Sequence, residues 1–69
     1  MDLKDIMHLF GKKVKVTDTD GKQRIGYFMD YTTALNNPEG EWSIEIYPSK
    51  TSVSVWGYFE TDIMSIEEV

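Results

Sequence analysis

The stretch from Lys13 to Tyr31, KVKVTDTDGKQRIGYFMDY, constrains this chain most, because it reads as one long β-hairpin with a glycine in its second arm. Val14 and Val16 alternate with Lys13, Lys15 and Thr17, Asp18 to Gly21 supplies the turn, and Ile25, Tyr27, Met29 and Tyr31 resume the two-residue period. A four-residue turn sets Thr17 opposite Lys22, Val16 opposite Gln23, Lys15 opposite Arg24 and Val14 opposite Ile25. One face of the hairpin is then mainly apolar, and the other carries Lys13, Lys15, Lys22 and Arg24. Like charges facing each other across strands are destabilising. An acid of the C-terminal half, such as Glu45, or a phosphate or carboxylate from a partner is therefore expected beside them.

Gly26 interrupts the second arm, and a glycine inside a strand marks a bend, a bulge or a close backbone approach. Beyond it Tyr27, Phe28 and Met29 are apolar on both faces, which calls for cover on both sides. Upstream, Leu3, Ile6, Met7 and Phe10 fall at i, i+3, i+4 and i+7, the stripe of a short amphipathic α-helix, with Asp2 at its N-cap and Gly11 just past its end. Downstream, Thr32 to Glu41 is a loop rich in Asn, Pro and Gly. Trp42, Ile44 and Ile46 define a third strand that stops at Pro48. Val53 and Val55 alternate with Ser52, Ser54 and Trp56 in a fourth, which Gly57 ends or bends. A turn at Glu60 to Asp62 leads to a fifth over Ile63 to Ile66.

At 69 residues the chain is one domain, near the size at which burial only just covers the entropy of folding, so oligomerisation is an economical source of further burial. It has no cysteine, which excludes disulfides and thiolate metal sites. No apolar run reaches the length of a membrane span and the N-terminus lacks a signal peptide's basic region, so no membrane and a cytoplasmic location are expected.

The net charge is -5. Met1 to Ala34 carries +1 and Leu35 to Val69 carries -6, counted from six basic and five acidic residues against one and seven. That balance argues against a nonspecific nucleic-acid binder, which would be basic over one face.

Little in the chain suggests catalysis. The only histidine, His8, has no second ligand at a useful spacing and reads as a surface or half-buried helix residue. Asp18, Asp20 and Gly21 fit part of a calcium loop, but Val16 and Tyr27 would occupy its first and twelfth places, where oxygen ligands are required. Neither a metal, a cofactor nor a catalytic residue is assigned, and the chain is read as a non-enzyme.

Three features together resemble the Sm and Sm-like (LSm) family. They are VKVTDTDG as a first strand and turn, Gly26 followed four residues later by Asp30 as in a G-x-x-x-D core, and Gly57 late in the fourth strand. Most closely, GKKVKVTDTDGKQRIGYFMDYTTALNNPEGEWSIEI and GYFETDIMSIEEV look like short Sm-like proteins of Gram-positive bacteria. The resemblance implies a mainly β fold, a short N-terminal α-helix followed by a five-stranded, strongly bent antiparallel small barrel over residues 1–69. A plain SH3-like barrel uses the same strand count and the same strand-bending glycines.

The resemblance further implies a homo-oligomeric ring, the fourth strand of one subunit pairing with the fifth of the next, and a lumen that binds single-stranded RNA. On that basis Asp30, Asn36 or Asn37, and Gly57 are candidate RNA contacts. The arginine that precedes the glycine in the family is Trp56 here, which removes a charged donor. Lys15 and Arg24 join them as the basic face of the hairpin. Trp56 and Tyr31 are aromatics on which bases could stack. The alternative is a protein-interaction or scaffold module without nucleic acid, anchored on Tyr27, Phe28, Trp56 and Tyr58.

Overall fold

The computed structural model describes residues 2–69. A 3-10 helix over Leu3–Leu9 is followed by β1 (Lys13–Asp18), β2 (Gln23–Thr32), β3 (Ser43–Tyr47), β4 (Trp56–Phe59) and β5 (Ile63–Glu68). Single 3-10 turns at Ala34–Asn36 and Glu60–Asp62 precede β3 and β5. The strands form one antiparallel sheet in the order β4-β3-β2-β1-β5. β4 and β5 lie at its two edges and share no ladder, so the sheet is open.

The first helix is 3-10 and not the α-helix expected. Three residues per turn place i, i+3 and i+6 on one ridge. Leu3, Ile6 and Leu9 are accordingly buried, Met7 is half-buried, and Phe10 is left 47% exposed. Asp2 caps the helix through its Oδ1, which accepts from the Lys4 N–H at 3.2 Å. At the other end the Gly11 N–H donates to the Phe28 carbonyl at 2.7 Å and ties the helix to β2.

The hairpin exists, in a register one residue away from the expected one. Val14 faces Gly26, Lys15 faces Ile25, Val16 faces Arg24 and Thr17 faces Gln23. The cause is the turn. Asp18 still pairs with Lys22, its N–H donating to the Lys22 carbonyl at 2.9 Å, and its Oδ1 accepts from the N–H groups of Asp20 and Lys22. Only Thr19, Asp20 and Gly21 are left to make the connection, with Gly21 in the left-handed region at φ +84°. A one-residue slip exchanges the faces of the whole second arm. Ile25 therefore points outward, 49% exposed, while Arg24 and Gly26 share the face of Val14 and Val16.

That face is the core. Val14, Val16, Phe28, Ile44 and Ile46 are fully buried, joined by Tyr58, Ile63, Ile66 and the helix ridge. At Gly26 the backbone of β3 leaves no room for a side chain. A Cβ there would lie 2.5 Å from the Tyr47 carbonyl oxygen and 2.8 Å from Ile46 Cγ2. The irregularity in β2 comes later, between Phe28 and Asp30, where the register to β3 shifts.

β4 begins where the expected fourth strand was to end. Ser52 to Val55 is irregular, and Gly57 lies inside the strand, opposite Glu45. Among the described residues, no helix is long and apolar enough to cross a membrane.

Candidate interaction surface

The corrected register divides the basic patch. Lys15 lies on the outer face of the sheet, where its Nζ is 3.0 Å from Glu67 Oε1 of β5. An acid of the C-terminal half does neutralise the hairpin, but it is Glu67 and not Glu45. Arg24 lies on the inner face, with its guanidinium 5.0 Å from the centre of the Trp56 ring. Lys15 and Arg24 do not form one site.

The remaining candidates fall into two places. Arg24 and Trp56 make one local group at the sheet edge. Gly57, next along β4 and opposite Glu45, turns to the other face, with open space where a side chain would be. Asp30 is at the far end of β2, its Oδ1 accepting from the Tyr31 N–H at 2.8 Å. Asn36 and Asn37 lie in the loop beyond. The Asn36 amide donates to Thr33 Oγ1 at 3.4 Å, and that of Asn37 donates to Ser43 Oγ at 2.9 Å. These amides serve their own loop, and no hydrogen bond links them to Asp30.

Two of the four expected aromatic anchors belong to the core of the single chain. Phe28 is fully buried and Tyr58 nearly so, which leaves neither with surface to offer a partner. Trp56 is half-buried beneath Arg24, and Tyr27 is half-buried with Lys50 Nζ 5.3 Å above its ring.

Another aromatic group was less apparent from the chain order. Phe10 packs edge-on against Phe28 at 5.3 Å and against Tyr31 at 5.6 Å, and Tyr31 stacks on Trp42 at 6.0 Å. The row runs from the core to the surface at the helix end of the sheet. It is visible only once a three-residue helical turn has swung Phe10 out of the helix stripe.

Beside Trp42, an open hollow of about 560 Å³ is lined by Asp2, Lys4, Glu41, Glu60 and Thr61. Its carboxylates are engaged by the chain itself. Glu60 accepts from the N–H groups of Leu3 and Trp42, and Glu41 from the N–H and hydroxyl of Thr61. No cluster of three or more His, Cys, Asp or Glu able to hold a metal occurs among the described residues.

The sheet edges carry a different kind of surface. Met64 is 58% exposed on β5 and Val69 just past it is 56% exposed, while Val53 and Val55 are exposed next to β4. Sheet edges are ordinarily guarded by charge, proline or cover. Here exposed apolar side chains lie at both, alongside the charged Glu67 and Glu68 on β5.

The chain matches no family model, no curated protein and no solved structure.

Proposed function

We propose that this chain is a non-catalytic, Sm-like module that self-assembles through β4 and β5 and takes single-stranded RNA beside Arg24 and Trp56. The observation that carries the reading is the strand order. It leaves the fourth and fifth strands as the two open edges, the pair that the Sm resemblance joins between neighbouring subunits. Unlike edges meeting head to tail build a ring when the rotation closes. Exposed apolar residues at both edges supply further area for burial in a chain of this size.

The choice of ligand is supported by Arg24. Trp56 stands where the family has an arginine, and the Arg24 guanidinium rests on that tryptophan. The guanidinium covers the exposed ring face, so Arg24 itself is the group offered to RNA, a charged donor for a phosphate whose plane can also stack a base. A second reading, a protein scaffold without nucleic acid, is favoured by the Phe10, Tyr31 and Trp42 row, since exposed aromatics are what protein interfaces concentrate.

The test has two steps. Light scattering across a concentration series should give a mass several times that of the 8.0 kDa chain. Fluorescence anisotropy with short U-rich and A-rich RNAs, at low salt and at roughly 200 mM, should then give saturable binding that weakens with salt. A monomer at every concentration would remove the assembly, and assembled protein with no RNA binding at either salt would favour the scaffold.

A further inference from the structure

We propose that the segment Val53 to Val55, irregular in the single chain and bent at Val53, straightens into an extension of β4 when the β5 of a second copy pairs with it. This rests on the self-assembly reading and adds where the join lies and which residues form it.

The first support is the direction of the backbone groups. The Glu60 N–H donates to the Trp42 carbonyl at 3.0 Å, so residue 60 faces β3. Alternation along β4 then turns Phe59 and Gly57 to the open edge, and straightening the irregular segment upstream would turn Val55 and Val53 there too. Phe59 is already engaged, its N–H donating to Asp62 Oδ2 at 3.2 Å. The edge group left on β4 itself is therefore at Gly57, and the straightened segment would add those of Val55 and Val53.

The second support is that the inward side of this segment is already satisfied. Pairing between β3 and β4 ends at Ile46 opposite Trp56, and the same register would bring Ser54 to Pro48, which has no N–H to give. The Ser52 hydroxyl takes that role instead. It donates to the Ser54 carbonyl at 2.9 Å and accepts from the Ser54 N–H at 3.1 Å. Ser54 is thus served within the chain, while Val53, 99% exposed, has nothing against its side chain.

The third support is length and composition. β5 has six residues and β4 only four, and the three residues 53 to 55 bring β4 to seven. Ser-Val-Ser-Val is a period-two, β-branched pattern that suits a strand better than a loop. The direction is antiparallel. β4 runs into Glu60 and Asp62 while β5 ends in Glu67 and Glu68, so a parallel join would bring four acids together and an antiparallel one separates them. It also brings Val53 and Val55 toward the exposed Val69 of the neighbour.

Hydrogen exchange read by mass spectrometry or NMR, on the full chain, tests this. In the assembled protein the amides of Val53 and Val55 should exchange at least tenfold more slowly than in the diluted monomer. Val53→Pro and Val55→Pro each delete one edge N–H, and each should raise the concentration needed for assembly at least tenfold. Circular dichroism of the diluted variants should match the parent. Val53→Thr keeps the amide and should assemble as the parent does. Assembly with these two amides still exchanging fast, or proline variants assembling at the parent's concentration, would overturn the extension and leave the join within Trp56–Phe59. A chain that stays monomeric throughout would overturn both the extension and the reading beneath it.

Discussion

Gly26 leaves no room for a side chain. A methyl group there meets a backbone carbonyl of β3 at 2.5 Å, which cannot swing aside as a side-chain tip could. Gly26→Ala is expected to cost about 2 kcal/mol or more, in the range of overpacked cores. Gly57→Ala, with nothing within 4 Å of the new atom, should stay within about 0.5 kcal/mol. Urea denaturation midpoints decide the matter, and equal losses at the two glycines would contradict the close approach. The sequence marked Gly26 as unusual but left bend, bulge and close approach open, because the constraint comes from Tyr47, a residue distant in the chain. Arg24 and Lys15 make a second contrast. If RNA binds beside Trp56, Arg24→Gln should weaken it severalfold and reduce its salt dependence, whereas Lys15→Gln, on the other face and paired to Glu67, should leave it unchanged. Equal loss from both in anisotropy titrations would restore the single basic face.

At the level of elements, what was legible depended on which physical signal carried it. The strand positions of β1, β2, β3 and β5 follow from alternating apolar residues, and the turn at Asp18 to Gly21 from its polar residues and glycine. The hairpin register did not follow, because Asp18 serves both as the last strand residue and as the acceptor that organises the turn. One residue fewer in the loop moved Arg24 indoors and Ile25 outdoors, and the basic patch disappeared with it. The helix shows the same limit, since Leu3 and Ile6 suit either three or 3.6 residues per turn. Leu9 and Phe10 are what separate the two. Leu9→Ala is expected to cost about 2 to 5 kcal/mol as a buried truncation. That is a large part of the roughly 3 to 10 kcal/mol available to a chain of this length. Phe10→Ala should lose only its two aromatic contacts, about 1 to 2 kcal/mol. Thermal or urea unfolding showing the opposite ranking would favour an α-helical turn.

For the whole molecule, the mainly β order of a short helix and five strands was readable, while the openness of the sheet was not, since edge pairing is decided between strands far apart in sequence. The candidate site was readable only in pieces. Arg24 and Trp56 meet because β4 lies across β3 from β2, an adjacency that local pattern does not encode. If the subunits join by main-chain hydrogen bonds between β4 and β5, assembly should change little between low and roughly 200 mM salt, in contrast to RNA binding. Light scattering over that range checks it, and dissociation by salt alone would point to a charged interface instead.

The pairing of β1 with β5 also bears on how the chain comes to be folded. Residues 13 to 18 find their second neighbour only in residues 63 to 68, so the hairpin of β1 and β2 emerges from the ribosome with one flank bare. Val14 and Val16 stay uncovered on that side until Ile63 and Ile66 arrive. Contacts this distant along the chain are slow to form, and apolar strands left waiting are prone to mispairing. Synthesis stalled ahead of Ile63 would strand the hairpin in that state, which makes the arrival of β5 the step that commits the nascent chain to this sheet.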